Sequence, residues 1–168
     1  MSFPGFSEQK GFWALFFVTL LALMLRFFNF ADLGIGNLFY ASTIRSMGES
    51  WHNFSYASFD PSGTIAVDKP PLGLWLQVLS TKLFGLNAFG FIGPIALAGE
   101  LAVPLVFVGA YRWFGLEVAT IAAIVLAIFP ESVATSRDST MDALLMFVAM
   151  LSALILVYSV ENLSLIHI

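Results

Sequence analysis

The sequence predicts an all-α integral membrane protein, and three observations carry that prediction. Apolar side chains make up 59% of the 168 residues and charged ones only 11%, against about 45–50% and about 25% in soluble domains. Mean hydropathy is +0.89. The apolar residues gather into long runs, several of them near the ~20 residues that a helix needs to cross a hydrocarbon core.

The first run covers residues 12–28 and is broken only by Thr19 and Arg26. A short apolar run after a positive residue also suits a secretion signal. Bulky residues follow it rather than a small-residue cleavage site, so it reads as a retained span. Arg26, near its end, can carry its charge to the interface while its stem lies among lipid.

Residues 29–88 form a loop far longer than an ordinary helix–helix connection, and loops of that length usually have a function. Tyr40, Ile44, Met47 and Trp51 recur at helical spacing, with Thr43, Arg45, Ser46, Glu49 and Ser50 between them. This pattern predicts an amphipathic helix lying on the bilayer, with Arg45 and Glu49 placed four apart to pair weakly. Asp60-Pro61-Ser62-Gly63 reads as a turn, and residues 64–67 as a short extended piece. Pro71 drives Pro70 toward an extended conformation. The stretch from Leu72 to Phe84 is apolar at 72, 75, 76, 79 and 83, with Gln77, Ser80, Thr81 and Lys82 on a polar side. It is too short to span, so an interfacial or partly buried helix is expected.

Three more spans are expected at about 89–111, 118–133 and 141–158. Glu100 is the only charge in the first of these, and the segment 143–157 has none. Pro104 would kink a helix interior, whereas Pro130 sits near an end, where an exit costs less. With a cytoplasmic amino end, Lys10 and Arg112 lie inside, as charge bias prefers. The same orientation puts Arg26, Arg45, Lys69, Lys82 and Arg137 outside, so charge counting alone votes the other way.

Composition also excludes several functions. Cysteine is absent, which removes disulfides, thiol catalysis and thiolate metal sites. Only His52 and His167 offer imidazole, and the net charge of -4 gives no basic face for nucleic acid.

A few polar residues remain as candidates. Asp68 and Lys69, presented by a Pro-Pro support, could bind an anionic headgroup and position a reacting group; a plain surface turn before a helix is the alternative. Asp142 opens the last span, and Ser139 to Asp142 has capping-box spacing, though Glu or Gln is usual at the last position. Arg137 and Asp138 could pair with one another or meet the long loop. Asp32 and Asp60 are loop acids without a signature of their own. Glu100 is a charge inside a span, which is costly and often functional. His52 beside Trp51 reads as an interface anchor, and Asn53-Phe54-Ser55 matches the short glycosylation pattern.

Several segments taken together resemble one known family. They are Asn37-Leu38-Phe39-Tyr40-Ala41, Ser50-Trp51-His52-Asn53-Phe54, Ala57-Ser58-Phe59-Asp60-Pro61 and Val67-Asp68-Lys69-Pro70-Pro71-Leu72-Gly73. Lys82-Leu83-Phe84-Gly85, Tyr111-Arg112-Trp113-Phe114-Gly115 and Asp142-Ala143-Leu144-Leu145 continue the pattern. In order and separation they resemble the amino-terminal part of prokaryotic family 39 glycosyltransferases, the protein mannosyltransferase and aminoarabinose transferase-like group. The resemblance implies a GT-C-like transmembrane helical bundle with interfacial helices in the first outer loop. It also implies a cell-membrane location, a cytoplasmic amino end and an extracytoplasmic active site. Such enzymes move a sugar from a polyprenyl-phosphate donor to a cell-envelope, lipid or protein acceptor.

Carried across by position, Lys69 would contact the donor phosphate, with Arg137 as a second cation for the leaving group. Asp142 would be an active-site residue acting as base, orienter or metal ligand, which leaves a divalent cation an open question. The family's acidic motif in the first outer loop is replaced here by Asn37 and Leu38, so Asp32, Asp60 and Asp68 stand as substitute bases. The spans are too few for such an enzyme, which points to a truncated chain that is inactive alone. A transporter or flippase of lipid-linked substrates and a non-catalytic assembly subunit are the alternatives.

Overall fold

Inside lipid every backbone polar group has to find its partner within the chain. Helices accordingly account for most of residues 8–164, the part described by the structure, a computed structural model. In chain order these are α1 (Glu8–Phe27), a 3-10 turn (Phe30–Leu33), α2 (Leu38–Met47), α3 (Trp51–Tyr56), α4 (Pro71–Phe84), α5 (Ala88–Ile128), α6 (Pro130–Ser136) and α7 (Asp142–Ser164). Three of them, α1, α5 and α7, contain stretches long and apolar enough to cross a membrane. The fold is therefore a membrane helical bundle. Among the described residues the only strand-like pairing is an isolated antiparallel bridge between Ser58 and Ala66.

A straight helix the length of α5 would measure about 60 Å, roughly twice the hydrocarbon core. It breaks at Gly115, whose φ of 80° and ψ of -175° are not helical. Arg26 shows that the chain turns back there. Its Nη1 donates to the Ala127 carbonyl at 3.3 Å, and its Nε lies 3.4 Å from where a Cβ on Gly99 would stand. In one continuous helix those two residues would be about 42 Å apart. The arms 88–114 and 116–128 are thus antiparallel, and α6 extends the second beyond Phe129. The segments expected at 89–111 and 118–133 fall on these two arms. Small residues let the arms approach closely: Ala119, Ala123 and Ala127 are fully buried against Val18, Ala22, Val103 and Phe107.

The hairpin turn is tied to the far end of α7. Arg112 forms an ion pair with Glu161, Trp113 Nε1 donates to Glu161 Oε1 at 3.1 Å, and the Arg112 guanidinium sits 5.6 Å over the Tyr158 ring. The loop 28–87 and the segment 137–142 consequently share the opposite end of the bundle.

At that end α4 is turned inside out relative to a water-facing helix. Leu72, Leu76, Leu79 and Leu83 point outward, with Leu83 79% exposed, whereas Gly73, Gln77, Ser80 and Thr81 are buried. The side read as polar is the inner one, and of its members only Lys82 is exposed. Burial is tolerated because each donor finds an acceptor, although Gln77 Oε1 has no donor. Gln77 Nε2 donates to the Phe91 carbonyl at 2.7 Å, Ser80 Oγ to that of Phe89 at 3.2 Å and Thr81 Oγ1 to that of Val78 at 2.8 Å. The stripe on α2 is likewise spent on protein. Ile44 and Met47 pack with Leu74, Val78 and Phe91, while Trp51 opens the separate helix α3 and is 80% exposed. Arg45 and Glu49 form no ion pair; the ion pair found among the described residues is Arg112 with Glu161.

Arg26 does not run its stem along lipid as its position suggested. It is fully buried, where it donates to Ser132 Oγ at 2.8 Å as well as to Ala127. Glu100, also buried, interacts electrostatically with it, although neither Glu100 oxygen has a hydrogen-bond donor.

Candidate active site

Two helix starts meet at the loop-bearing end of the bundle. A Cβ on Gly73 would stand 2.6 Å from Met141 Cγ and 3.3 Å from Leu144 Cδ2, so glycine there lets the first turn of α4 lie against the first turn of α7. One turn further on, Gln77 Nε2 also donates to the Ser139 carbonyl at 3.0 Å. The segment 137–141 is thereby fixed to both α4 and α5.

The turn before α2 closes the junction. Asp138 Oδ1 accepts from the Asn37 and Ser139 amides, both at 2.7 Å, and Ser139 Oγ donates to the Asn37 carbonyl at 3.2 Å. Gly36 has φ +71°, and a Cβ there would stand 2.6 Å from the Ser139 amide nitrogen, so both conformation and space require glycine. Asn37 also caps α2 through its side-chain oxygen, which accepts from the Phe39 amide at 2.9 Å. Asp138 thus meets the long loop and does not pair with Arg137. Ser139 is used by Asn37 and does not close a capping box with Asp142.

Asp142 is the first residue of α7 and is exposed. Asp68 and Lys69 are exposed as well, and among the described residues neither has a hydrogen bond or ion pair. Lys69 lies four residues before Gly73, a reach of at most ~14 Å of chain. It therefore precedes the end of α4 that packs on the start of α7.

The other candidates have different work. Arg137 Nη1 donates to the carbonyls of Leu25, Arg26 and Phe28 at 3.0, 3.0 and 2.8 Å. It closes the carboxyl end of α1, where a helix leaves carbonyls without partners. Asp60 is committed to its own turn, accepting from Ser62 Oγ, from the Ile65 amide at 2.6 Å and from the Thr64 amide at 3.0 Å. The Ser62 hydroxyl, followed by those amides, holds its carboxyl well below the usual carboxylate range, which suits a structural anion and not a general base. Asp32 is exposed on the 3-10 turn, which Phe30 anchors against Phe27 and Phe89. Asn53, at the head of the glycosylation pattern, is buried, and its amide donates to the Ser46 and Pro61 carbonyls at 3.2 and 3.0 Å. Among the described residues no three His, Cys, Asp or Glu side chains gather as metal ligands.

Gln77 and Gly36, which hold the junction together, were not singled out by the sequence. The cue available for Gln77 was an amide on the polar side of a leucine-rich helix.

A bundle of apolar helices with a polar junction at one end defines a multi-pass membrane protein. Residues 68–166 match the dolichyl-phosphate-mannose-protein mannosyltransferase family, a segment that begins at the Asp68–Lys69 turn and includes Asp142. The chain belongs to that family. Two relatives come from Bacillus subtilis (strain 168), both provisionally named mannosyltransferases. YycA is 39% identical over 149 residues, which is 89% of this chain and 22% of the relative. YkcB is 37% identical over 148 residues, 88% of this chain and 21% of the relative. The chain thus spans about a fifth of the length of these curated relatives. No solved structure matches it.

Proposed function

We propose that the chain builds the donor side of a membrane glycosyltransferase site, on the extracytoplasmic face and with its amino end in the cytoplasm. The observation that supports this reading is the packing of the α4 start on the α7 start, Gly73 against Met141 and Leu144, with Lys69 just before the one and Asp142 opening the other. The donor would be a polyprenyl-phosphate sugar and the acceptor a lipid, glycan or protein group. A carboxylate takes the proton from the acceptor hydroxyl or amine, within hydrogen-bond reach. The freed electron pair attacks the anomeric carbon as its bond to the phosphate oxygen breaks. The departing lipid phosphate keeps that bond's electrons, and the Lys69 ammonium stabilises its charge. Asp142 is the best placed base, with Asp68 and Asp32 behind it; Asp60 and Arg137 are otherwise engaged.

The test is transfer from a polyprenyl-phosphate sugar by the complete reading frame in liposomes. Lys69→Met and Asp142→Asn should each lower the rate about 100-fold or more, as loss of a charge-stabilising group does, without altering thermal stability. Sugar lipid crossing the bilayer with no transfer would favour the transporter reading, and unchanged activity in both variants would refute the assignment. Because the chain lacks cysteine, single substitutions Ser62→Cys and Trp113→Cys can report sidedness with an impermeant thiol reagent. Only the first should react from outside.

A further inference from the structure

A second lipid-facing feature lies at the other end of α4. A groove of about 230 Å³ runs between α2 and the α4–α5 connection, with Ile35, Leu38, Arg45, Leu86 and Phe91 in its lining. Its rim is apolar and outward: Leu38 is 70% and Leu86 57% exposed, and the neighbouring Leu83 and Phe84 are exposed too. Arg45 is the one cation in the lining; it is exposed, and among the described residues it has no acidic partner. The volume falls below the ~300–1,000 Å³ of pockets that enclose drug-sized ligands, so it suits a length of one hydrocarbon chain. A guanidinium over such a groove complements a phosphate whose tail enters the apolar floor.

The groove is separate from the proposed donor site. Lys82 Nζ donates to the Gly48 carbonyl at 2.5 Å, so the Arg45 end of α2 sits with the carboxyl end of α4. Lys69 precedes the amino end of that helix, which is 14 residues long, or about 21 Å. We propose that this groove binds an anionic bilayer phospholipid, with its phosphate on Arg45 and one acyl chain along Leu38, Leu86 and Phe91.

The experiment is native mass spectrometry of the chain in detergent, titrated with dioleoyl phosphatidylglycerol, dioleoyl phosphatidylcholine or undecaprenyl phosphate. Phosphatidylglycerol should be retained over phosphatidylcholine. Arg45→Gln should lower its retention about fivefold, as expected for one basic side chain at an anionic lipid surface, while Arg45→Lys retains most of it. Leu38→Asn and Leu86→Asn, both at exposed positions, should weaken both phospholipids, and Lys69→Met neither. Equal retention of phosphatidylglycerol by the parent and Arg45→Gln would overturn the proposal. So would a larger effect of Arg45→Gln on undecaprenyl phosphate than on phosphatidylglycerol, which would give the groove to the carrier lipid.

Discussion

Replacing Arg137 with methionine separates two jobs that one guanidinium could have at this interface. In the structure its Nη1 donates toward three carbonyls of the α1 end. One nitrogen carries two hydrogens, so two full bonds are the most that can be counted. Hydrogen bonds from a charged donor contribute about 1.5–3 kcal/mol each, which bounds the loss near ~3–6 kcal/mol. Water can replace the donor at the exposed Phe28 carbonyl, and that lowers the figure to about 2–4 kcal/mol. Methionine retains the apolar stem, so little packing is lost. For a chain of this size each kcal/mol moves the midpoint by about 2–4 °C, and a fall of roughly 5–15 °C is expected. Intrinsic tryptophan fluorescence on heating in detergent measures it, with Arg137→Lys falling between parent and Arg137→Met. A midpoint within about 2 °C of the parent, together with lost donor binding, would refute this reasoning and return Arg137 to the phosphate.

Three further outcomes follow from the same geometry. Arg26→Met removes the donor to Ser132 Oγ and the Ala127 carbonyl together with the charge that acts on buried Glu100, and should cost about 2–4 kcal/mol, as for one or two hydrogen bonds from a charged donor; adding Glu100→Gln should recover part of that, and a double mutant no more stable than Arg26→Met would show the two residues uncoupled. Because the folded Asp60 carboxyl is held below its ordinary value, the 57–67 turn should keep its full stability above the ordinary carboxylate pKa of about 4. That contribution is lost only as pH falls through the lower folded value, so amide exchange at Thr64 and Ile65 should stay slow from pH 7 to 5 in the parent and quicken throughout in Asp60→Asn. Gly36→Ala forces an L residue to φ +71° against Ser139, at about 1–2 kcal/mol for the conformation alone, and should speed proteolysis at residues 34–38 while the far end of the bundle stays protected.

The helical membrane character was legible because crossing hydrocarbon demands a long apolar run, which a single sequence displays directly. What misled was the sign of amphipathicity. A binary pattern says which residues differ, and the rule that polar ones face out assumes water on the outside. Around α4 the apolar leucines are outward, so Gln77, Ser80 and Thr81 had to turn in and find backbone acceptors. Arg26 failed to read as buried for another reason. Its acceptors, Ala127 and Ser132, lie more than 100 residues along the chain, and only the fold-back at Gly115 brings them within reach. The junction of Asn37, Asp138 and Ser139 is equally long-range. Asp60 is the opposite case: the turn was visible, and capture of the Thr64 and Ile65 amides by its carboxylate is the local habit of aspartate in turns.

Helix polarity explains why Lys69 and Arg137, equal candidates in sequence, part company in the fold. The loop-bearing end of the bundle collects the carboxyl ends of α1 and of the second α5 arm, together with the amino ends of α4, α5 and α7. Carboxyl ends carry partial negative charge and orphan carbonyls; amino ends carry partial positive charge and orphan amides. Arg137 closes the first carboxyl end and Arg26 the second, each arginine reaching across to the other's helix. Those two guanidinium groups are thereby held in contacts with carbonyls. The α5 start is capped by the Asn87 side chain, whereas the α4 start has no side-chain cap and carries Lys69 two residues before it. An anion arriving at this interface would therefore be drawn to the α4–α7 junction and not to the arginines. The two substitutions should then dissociate: Lys69→Met weakening donor binding at constant stability, and Arg137→Met lowering stability while the chain that remains folded binds donor as before.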